Sequence, residues 1–231
     1  MDKNRNNLKK KAETARGEAE RLIHIPAEGA VLEGVLAVPG GAEGVVLFSH
    51  GSGSSRHSPR NNYVARVLRE AGLGTLLFDL LTEREDANYE ARFDIDLLTR
   101  RLIAATRWFI EQDESRGAAV GYFGSSTGAA SALQAAAALG PAVGAVVSRG
   151  GRPDLAERAL PLVQAPTLLI VGGYDLPVIL LNRQAYDQMT VERELKVIPG
   201  ASHLFEEPGT LEEAARLATE WFKRHLHAKR G

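Results

Sequence analysis

The chain has 231 residues, of which 44% are hydrophobic and 25% charged, with a formal net charge of -1. That balance belongs to an ordinary globular protein with enough chain for a sizeable core, and it lacks both the basic footprint of a nucleic-acid binder and an apolar run long enough to span a membrane. The absence of cysteine excludes disulfide frameworks, thiolate metal sites and cysteine nucleophiles together.

Residues 1–20, with Lys9, Lys10 and Lys11 and few apolar anchors, read as a charged tail or solvated helix. They lack the apolar stretch of a secretory signal, which points to a cytoplasmic protein. Residues 21–231 read as one domain. Arg21–Ile25 and Ala30–Val38 are β-type runs separated by a Pro/Gly turn, hence a hairpin. Val45–Phe48 is a continuous apolar run, the mark of a strand buried on both faces, and it ends in the loop His50-Gly51-Ser52-Gly53-Ser54-Ser55. Helical spacing covers Asn62–Ala71, a second buried strand Gly74–Leu80, a polar loop Leu81–Arg92, and a long amphipathic helix Phe93–Ile110. After the next strand and an Ala-rich helix ending at Gly140-Pro141 come a strand at Val143–Val147 and a connection at Arg149–Gln164. Within that connection, Pro153–Leu160 is the material for a crossover helix. Strand Pro166–Val171, helix Val178–Met189, strand Glu194–Ile198 and helix Gly209–Leu226 complete the chain. Strands alternating with helices predict an α/β fold: a mostly parallel sheet covered on both faces, made mixed by the opening hairpin.

The most informative stretch is Ala118–Leu133. An apolar strand stops at Gly124 and a helix begins after Gly128, so Gly124-Ser125-Ser126-Thr127-Gly128 turns sharply between them and matches Gly-x-Ser-x-Gly. A serine on such a turn has its hydroxyl lifted above the sheet, and the residues two before and two after must be small where strand and helix converge. The competing reading is a Gly/Ser turn that matches by chance; the flanking strand and helix favour the nucleophile. Only Ser126, and not Ser125, has glycine on both sides at that spacing.

Reactive groups on a parallel sheet collect beyond the carboxyl ends of its strands, which here are followed by His50, Asp79, Ser126, Asp154, Asp175 and His203. A nucleophilic serine needs a histidine base and a carboxylate to orient it. The order Ser126, Asp175, His203 supplies both. Asp154 is the rival acid, but Arg152 and Arg158 offer it ordinary ion pairs. Asp79 is expected to tie down its own loop, and His50 to pin the loop that follows it through its imidazole. His57, in a loop near the site, reads as a surface residue in preference to a pocket-lining one, and His24, His225 and His227 as structural or solvated. The oxyanion is assigned to the backbone N–H groups of Thr127, after the nucleophile, and Ser52, in the Gly-rich loop. A phosphate-binding reading of that loop lacks the Gly-Lys-Ser/Thr of a Walker motif.

These four segments (the His50–Ser55 loop, the Ser126 turn, Gly172-Gly173-Tyr174-Asp175, and Gly200-Ala201-Ser202-His203-Leu204-Phe205) together resemble the α/β-hydrolase superfamily, and within it the dienelactone hydrolase-like proteins, over roughly residues 21–225. The resemblance implies an α/β-hydrolase fold without a large lid domain. Dienelactone hydrolases carry cysteine at the elbow; here it is Ser126, which leaves ester hydrolysis intact but departs from their lactone chemistry. Similar sequences are sometimes joined to phosphoribosyltransferase domains, and none is present in this sequence.

The resulting expectation is a metal-independent, cofactor-free serine hydrolase, monomeric or homodimeric. Its substrate is a small ester, lactone or thioester, with no nucleic-acid or membrane partner. Thioesterase or acyltransferase chemistry would use the same groups, and a catalytically silent hydrolase-like domain that binds a ligand or partner is the alternative from another class. With little chain available for a cap and a charged Leu81–Arg92 loop, the site is expected to be open and shallow.

Overall fold

A computed structural model describes residues 20–227. Expectations for residues 1–19 lie outside them. The strands are β1 (Arg21–Ala27), β2 (Ala30–Ala37), β3 (Gly44–Ser49), β4 (Gly74–Phe78), β5 (Ala119–Ser125), β6 (Val143–Arg149), β7 (Thr167–Gly172) and β8 (Arg193–Ile198). They form one sheet in the order β1-β2-β4-β3-β5-β6-β7-β8. β1 and β2 pair antiparallel, as do β2 and β4, and every later pair is parallel. This is the α/β-hydrolase fold, with the expected hairpin at one edge.

Burial follows from position in the sheet. The interior strands β3, β4, β5 and β7 are buried at every residue. The edge strand β1 alternates, sending Ile23, Ile25 and Ala27 inward, and accommodates Pro26 because an edge strand can forgo a ladder donor.

Five helices cover the sheet: α1 (Pro59–Glu70), α2 (Ile95–Ile110), α3 (Gly128–Leu139), α4 (Leu176–Gln188) and α5 (Thr210–His225). On one face α1 packs against α5, closing a core that includes Phe48, Val64, Phe123, Trp221 and Phe222. α2 and α3 lie on the other face, over Leu102, Phe109, Tyr122, Leu133 and Leu169. There the Tyr122 hydroxyl is hydrogen-bonded to Thr106 at 2.6 Å, and burial raises its pKa.

Three local expectations need correction. The connection after β6 forms a 3-10 helix, Pro153–Leu162, with non-helical backbone at Ala156 and Pro161 inside it, rather than a regular crossover helix. Helix α1 starts three residues earlier than its apolar spacing implied, because Ser58 caps it and Pro59 supplies a preset first turn. The Leu81–Arg92 loop contains a helical turn, Glu83–Asp86, closed by a reciprocal Thr82–Glu85 capping box and anchored by the Glu85–Arg101 ion pair. No lid element stands over the carboxyl end of the sheet among the described residues.

Candidate active site

The turn after β5 has the geometry its glycines predicted. Ser126 sits at φ 51°, one of three non-glycine residues with positive φ among the described residues, a conformation that costs a side-chain-bearing residue roughly 1–3 kcal/mol and persists only where the surroundings impose it. They do so tightly. A Cβ on Gly124 would stand 2.5 Å from the Ala129 Cα, and one on Gly128 would stand 2.1 Å from the Ser49 carbonyl oxygen, so both positions require glycine. The turn is held from behind as well: Arg152 N–H donates to the Ser126 carbonyl at 3.0 Å. Beneath it the buried Ser49 and Ser131 hydroxyls meet at 2.7 Å. Ser125 is buried, whereas Ser126 is half-buried and open to the cavity above.

Asp175 follows β7 at the N-cap of α4, a place where aspartate ordinarily bonds the helix's own N–H groups. It makes no such bond. Its Oδ2 is instead 2.6 Å from the His203 Nδ1. The carboxylate is 13% exposed and the imidazole 40%, so the acid is shielded while the base reaches solvent. The rival acid is committed elsewhere, since Asp154 takes two bonds from Arg152, at 2.9 and 2.8 Å. Ser126 and His203 line one cavity of about 190 Å³. The hydrogen bonds of the described residues include none between the Ser126 hydroxyl and the His203 ring, a separation that hydrolytic sites commonly close only on substrate binding.

The two residues assigned to the oxyanion meet, but through an unforeseen contact. Ser52 N–H donates to the Thr127 Oγ1 at 2.9 Å, so this donor is occupied at rest. His50, as expected, pins the loop: its Nδ1–H donates to the Gly51 carbonyl at 3.1 Å, and its Nε2 accepts from Leu80 N–H at 3.0 Å. Both partners fix the neutral Nδ1-protonated tautomer, and burial holds the pKa below the usual imidazole range. Asp79 ties down the β3–α1 loop rather than its own, accepting from the Arg56 backbone at 2.7 Å and from its guanidinium. His24 and His57 are exposed, His57 on the wall of a neighbouring cavity, and the His225 ring lies tilted by 55° against Trp221 with ring centroids 4.5 Å apart.

Two features escaped the sequence reading. One is Arg149, buried at the end of β6 and lining the Ser126 cavity beside Arg60. The other is a larger cavity of about 610 Å³ alongside, bounded by Glu33, Arg56, Asp79, Glu83 and Asp86. It lies next to the Ser126 cavity rather than over it, with Ser54 on both walls. No group of three or more His, Asp or Glu side chains is placed to hold a metal ion among the described residues. No helix there is long and apolar enough to cross a membrane.

The sequence profile of the dienelactone hydrolase family matches residues 32–227, which include every residue of the site just described. The chain belongs to the dienelactone hydrolase family. A dienelactone hydrolase from Anabaena variabilis superposes with a TM-score of 0.89 at 54% identity, covering 91% of this chain and all (100%) of that one. Est1E from Butyrivibrio proteoclasticus shares the fold at a TM-score of 0.76 and 16% identity, over 88% of this chain and 98% of its own. Among curated proteins, one from Mycobacterium tuberculosis strain H37Rv is 55% identical over 204 residues, or 88% of this chain, and is named provisionally as a phosphoribosyl transferase. The match spans 46% of that relative's length, so the name describes a protein of which the shared region is less than half. Family membership and the shared fold thus place this chain among proteins of the α/β-hydrolase fold.

Proposed function

We propose that the protein is a serine hydrolase that cleaves small esters or lactones through an acyl-enzyme on Ser126. The observation that carries this reading is the 2.6 Å Asp175–His203 contact beside a serine held at positive φ, with Ser126 and His203 opening onto one cavity. Asp175 accepts from His203 Nδ1–H and so directs the unprotonated Nε2 toward the serine. His203 takes the Ser126 proton as the oxygen attacks the acyl carbon, then returns it to the departing alcohol. Water completes the cycle through the same base. Asp175 stays ionised and stabilises the imidazolium.

The tetrahedral oxyanion is received by the N–H groups of Thr127 and Ser52. The resting bond from Ser52 N–H to the Thr127 hydroxyl gives this site a particular requirement: the hydroxyl must rotate away or share the donor as negative charge develops. Thioester hydrolysis and acyl transfer would use the same groups, with a different leaving group or acceptor. Labelling with a fluorophosphonate followed by peptide mapping tests the assignment. The label is expected on Ser126 alone, and Ser126→Ala should lose on the order of 10⁶ in turnover. A label on Ser125, Ser52 or Ser54 would overturn it, and absence of labelling would favour a silent binding domain.

A further inference from the structure

Two arginines are buried among the described residues, Arg101 and Arg149, and their surroundings differ in kind. Arg101 donates to the Ala27 carbonyl and pairs with Glu85 at 2.7 Å. Arg149 forms no ion pair among the described residues. Its Nη2 reaches the Asn61 Oδ1 at 3.4 Å, its guanidinium lies 5.6 Å from the centre of the Phe205 ring, and its Nε and Nη1 are buried without a hydrogen-bond partner. A buried cation left this way is costly unless something else supplies the counter-charge. Burial, with Arg60 nearby, pushes its pKa down to about 10, so it is still charged at neutral pH.

Arg149 lines the cavity over Ser126. Its wall adds a second guanidinium, Arg60, and the hydroxyls of Ser54 and Ser58, and it contains no aspartate or glutamate. Arg60 has one carboxylate partner, Glu206 at 3.2 Å on the exposed side. Ser58 is also the N-cap of the 12-residue helix α1, so the positive end of that helix points at the same space. The wall is thus rich in donors, with two positive charges, a few ångströms from a nucleophile.

We propose that Arg149 and Arg60 form an oxyanion-holding subsite for the substrate, and that the ester turned over carries a phosphate group. A carboxylate offers two acceptor oxygens and one charge, whereas a phosphate monoester offers three and nearly two charges at neutral pH, which suits two guanidiniums and a helix N-terminus better. The phosphate is a handle and does not react. The bond broken is the acyl C–O bond, water supplies OH to the acyl carbon and H to the alcohol oxygen, and the phosphate leaves with the product that bears it. This assignment rests on the hydrolase reading above and names its substrate class.

Inorganic phosphate is the probe, with the full chain. It should inhibit hydrolysis of a neutral aryl acetate competitively, and it should bind Ser126→Ala in a calorimeter. Arg149→Gln and Arg60→Gln should each weaken that binding by about 10- to 150-fold, the range for charge-assisted bonds. Arg149→Lys, which keeps the charge but not the fork, should fall between wild type and Arg149→Gln. Should Arg149→Gln fail to fold, the half-exposed Arg60→Gln decides the matter. Competition by malonate but not by phosphate would overturn the phosphate assignment in favour of a carboxylate. Phosphate affinity unaltered by Arg60→Gln and Arg149→Lys would overturn the subsite itself. Fluorophosphonate labelling without phosphate binding sinks only this proposal. Phosphate binding without labelling sinks the hydrolase reading, and the ester with it.

Discussion

Two hollows lie side by side at the carboxyl end of the sheet, one of about 190 Å³ over Ser126 and one of about 610 Å³ beside it, and Ser54 lines both. The larger carries ion pairs on its wall: Arg56 bridges Asp79 and Glu33, and Asp86 pairs with Arg92. In the smaller, a serine is held in an unfavourable backbone conformation, a histidine is paired with a shielded acid, and a buried arginine forms no ion pair among the described residues. Room alone does not mark chemistry. Groups that the fold leaves uncompensated do, because their cost is recovered only when something binds or reacts.

The sharpest way to break this contrast is to exchange acids between connected and unconnected positions. Asp175→Asn should depress ester turnover by about 10⁴, because the amide holds His203 in the wrong tautomer. Asp154→Asn, whose partner is Arg152, should do far less. Reversed effects in kcat measurements would move the acid to the earlier loop.

Next in size is the dependence on acyl length. Neither hollow offers a deep apolar tunnel, and the larger is walled by Glu33, Glu83 and Asp86. Each buried methylene is worth about 0.8 kcal/mol, close to fourfold in kcat/KM, so a tunnel would reveal itself by a steep rise with chain length. Among neutral aryl esters, acetate to butyrate should be preferred, and a maximum at octanoate or longer would contradict the open site.

A change confined to the larger hollow should act on stability before chemistry. The Asp79–Arg56 contact is shielded, at 18% and 16% side-chain exposure, and also takes the Arg56 backbone N–H. Asp79→Asn should therefore cost about 2 kcal/mol, or about 4–8 °C in Tm for a chain of this size. A fall in kcat as large as that of Asp175→Asn would show that the two hollows act as one.

The smallest effect concerns His50, which stands on the wall of the larger hollow. Its folded pKa lies below the unfolded value of about 6.5. As pH falls below about 6.5 the unfolded chain binds a proton that the folded chain refuses, so stability is full above that pH and declines below it, by at most about 1.4 kcal/mol per pH unit. A wild-type Tm that falls below pH 6.5 more steeply than that of His50→Gln would bear this out; parallel curves would not.

How much of this was legible depended on how local each determinant is. The Ser126 turn could be read because its glycines, strand and helix are contiguous, and Asp175 and His203 because each follows a strand in chain order. Arg149 could not, since an arginine at a strand end reads as a solvated turn unless the burial imposed by α1 and Phe205 is known. The same holds for Asp79, whose partner lies 23 residues earlier and became visible only through the sheet. Ser58-Pro59 and Thr82-x-x-Glu85 are different. Both are local capping signals, present in the sequence, that apolar spacing alone passed over.

The left-handed backbone of Ser126 has a consequence for the history of the fold. Serine is a poor residue for φ 51°, and glycine would adopt it without penalty. On the proposed function, the hydroxyl's use holds serine there. In a descendant that no longer needed the reaction, mutational drift would run downhill at this position, toward glycine or asparagine, while the flanking Gly124 and Gly128 stayed fixed by the contacts of strand and helix. If Ser126 is the nucleophile as proposed, the residue at 126 records whether a lineage still depends on that chemistry.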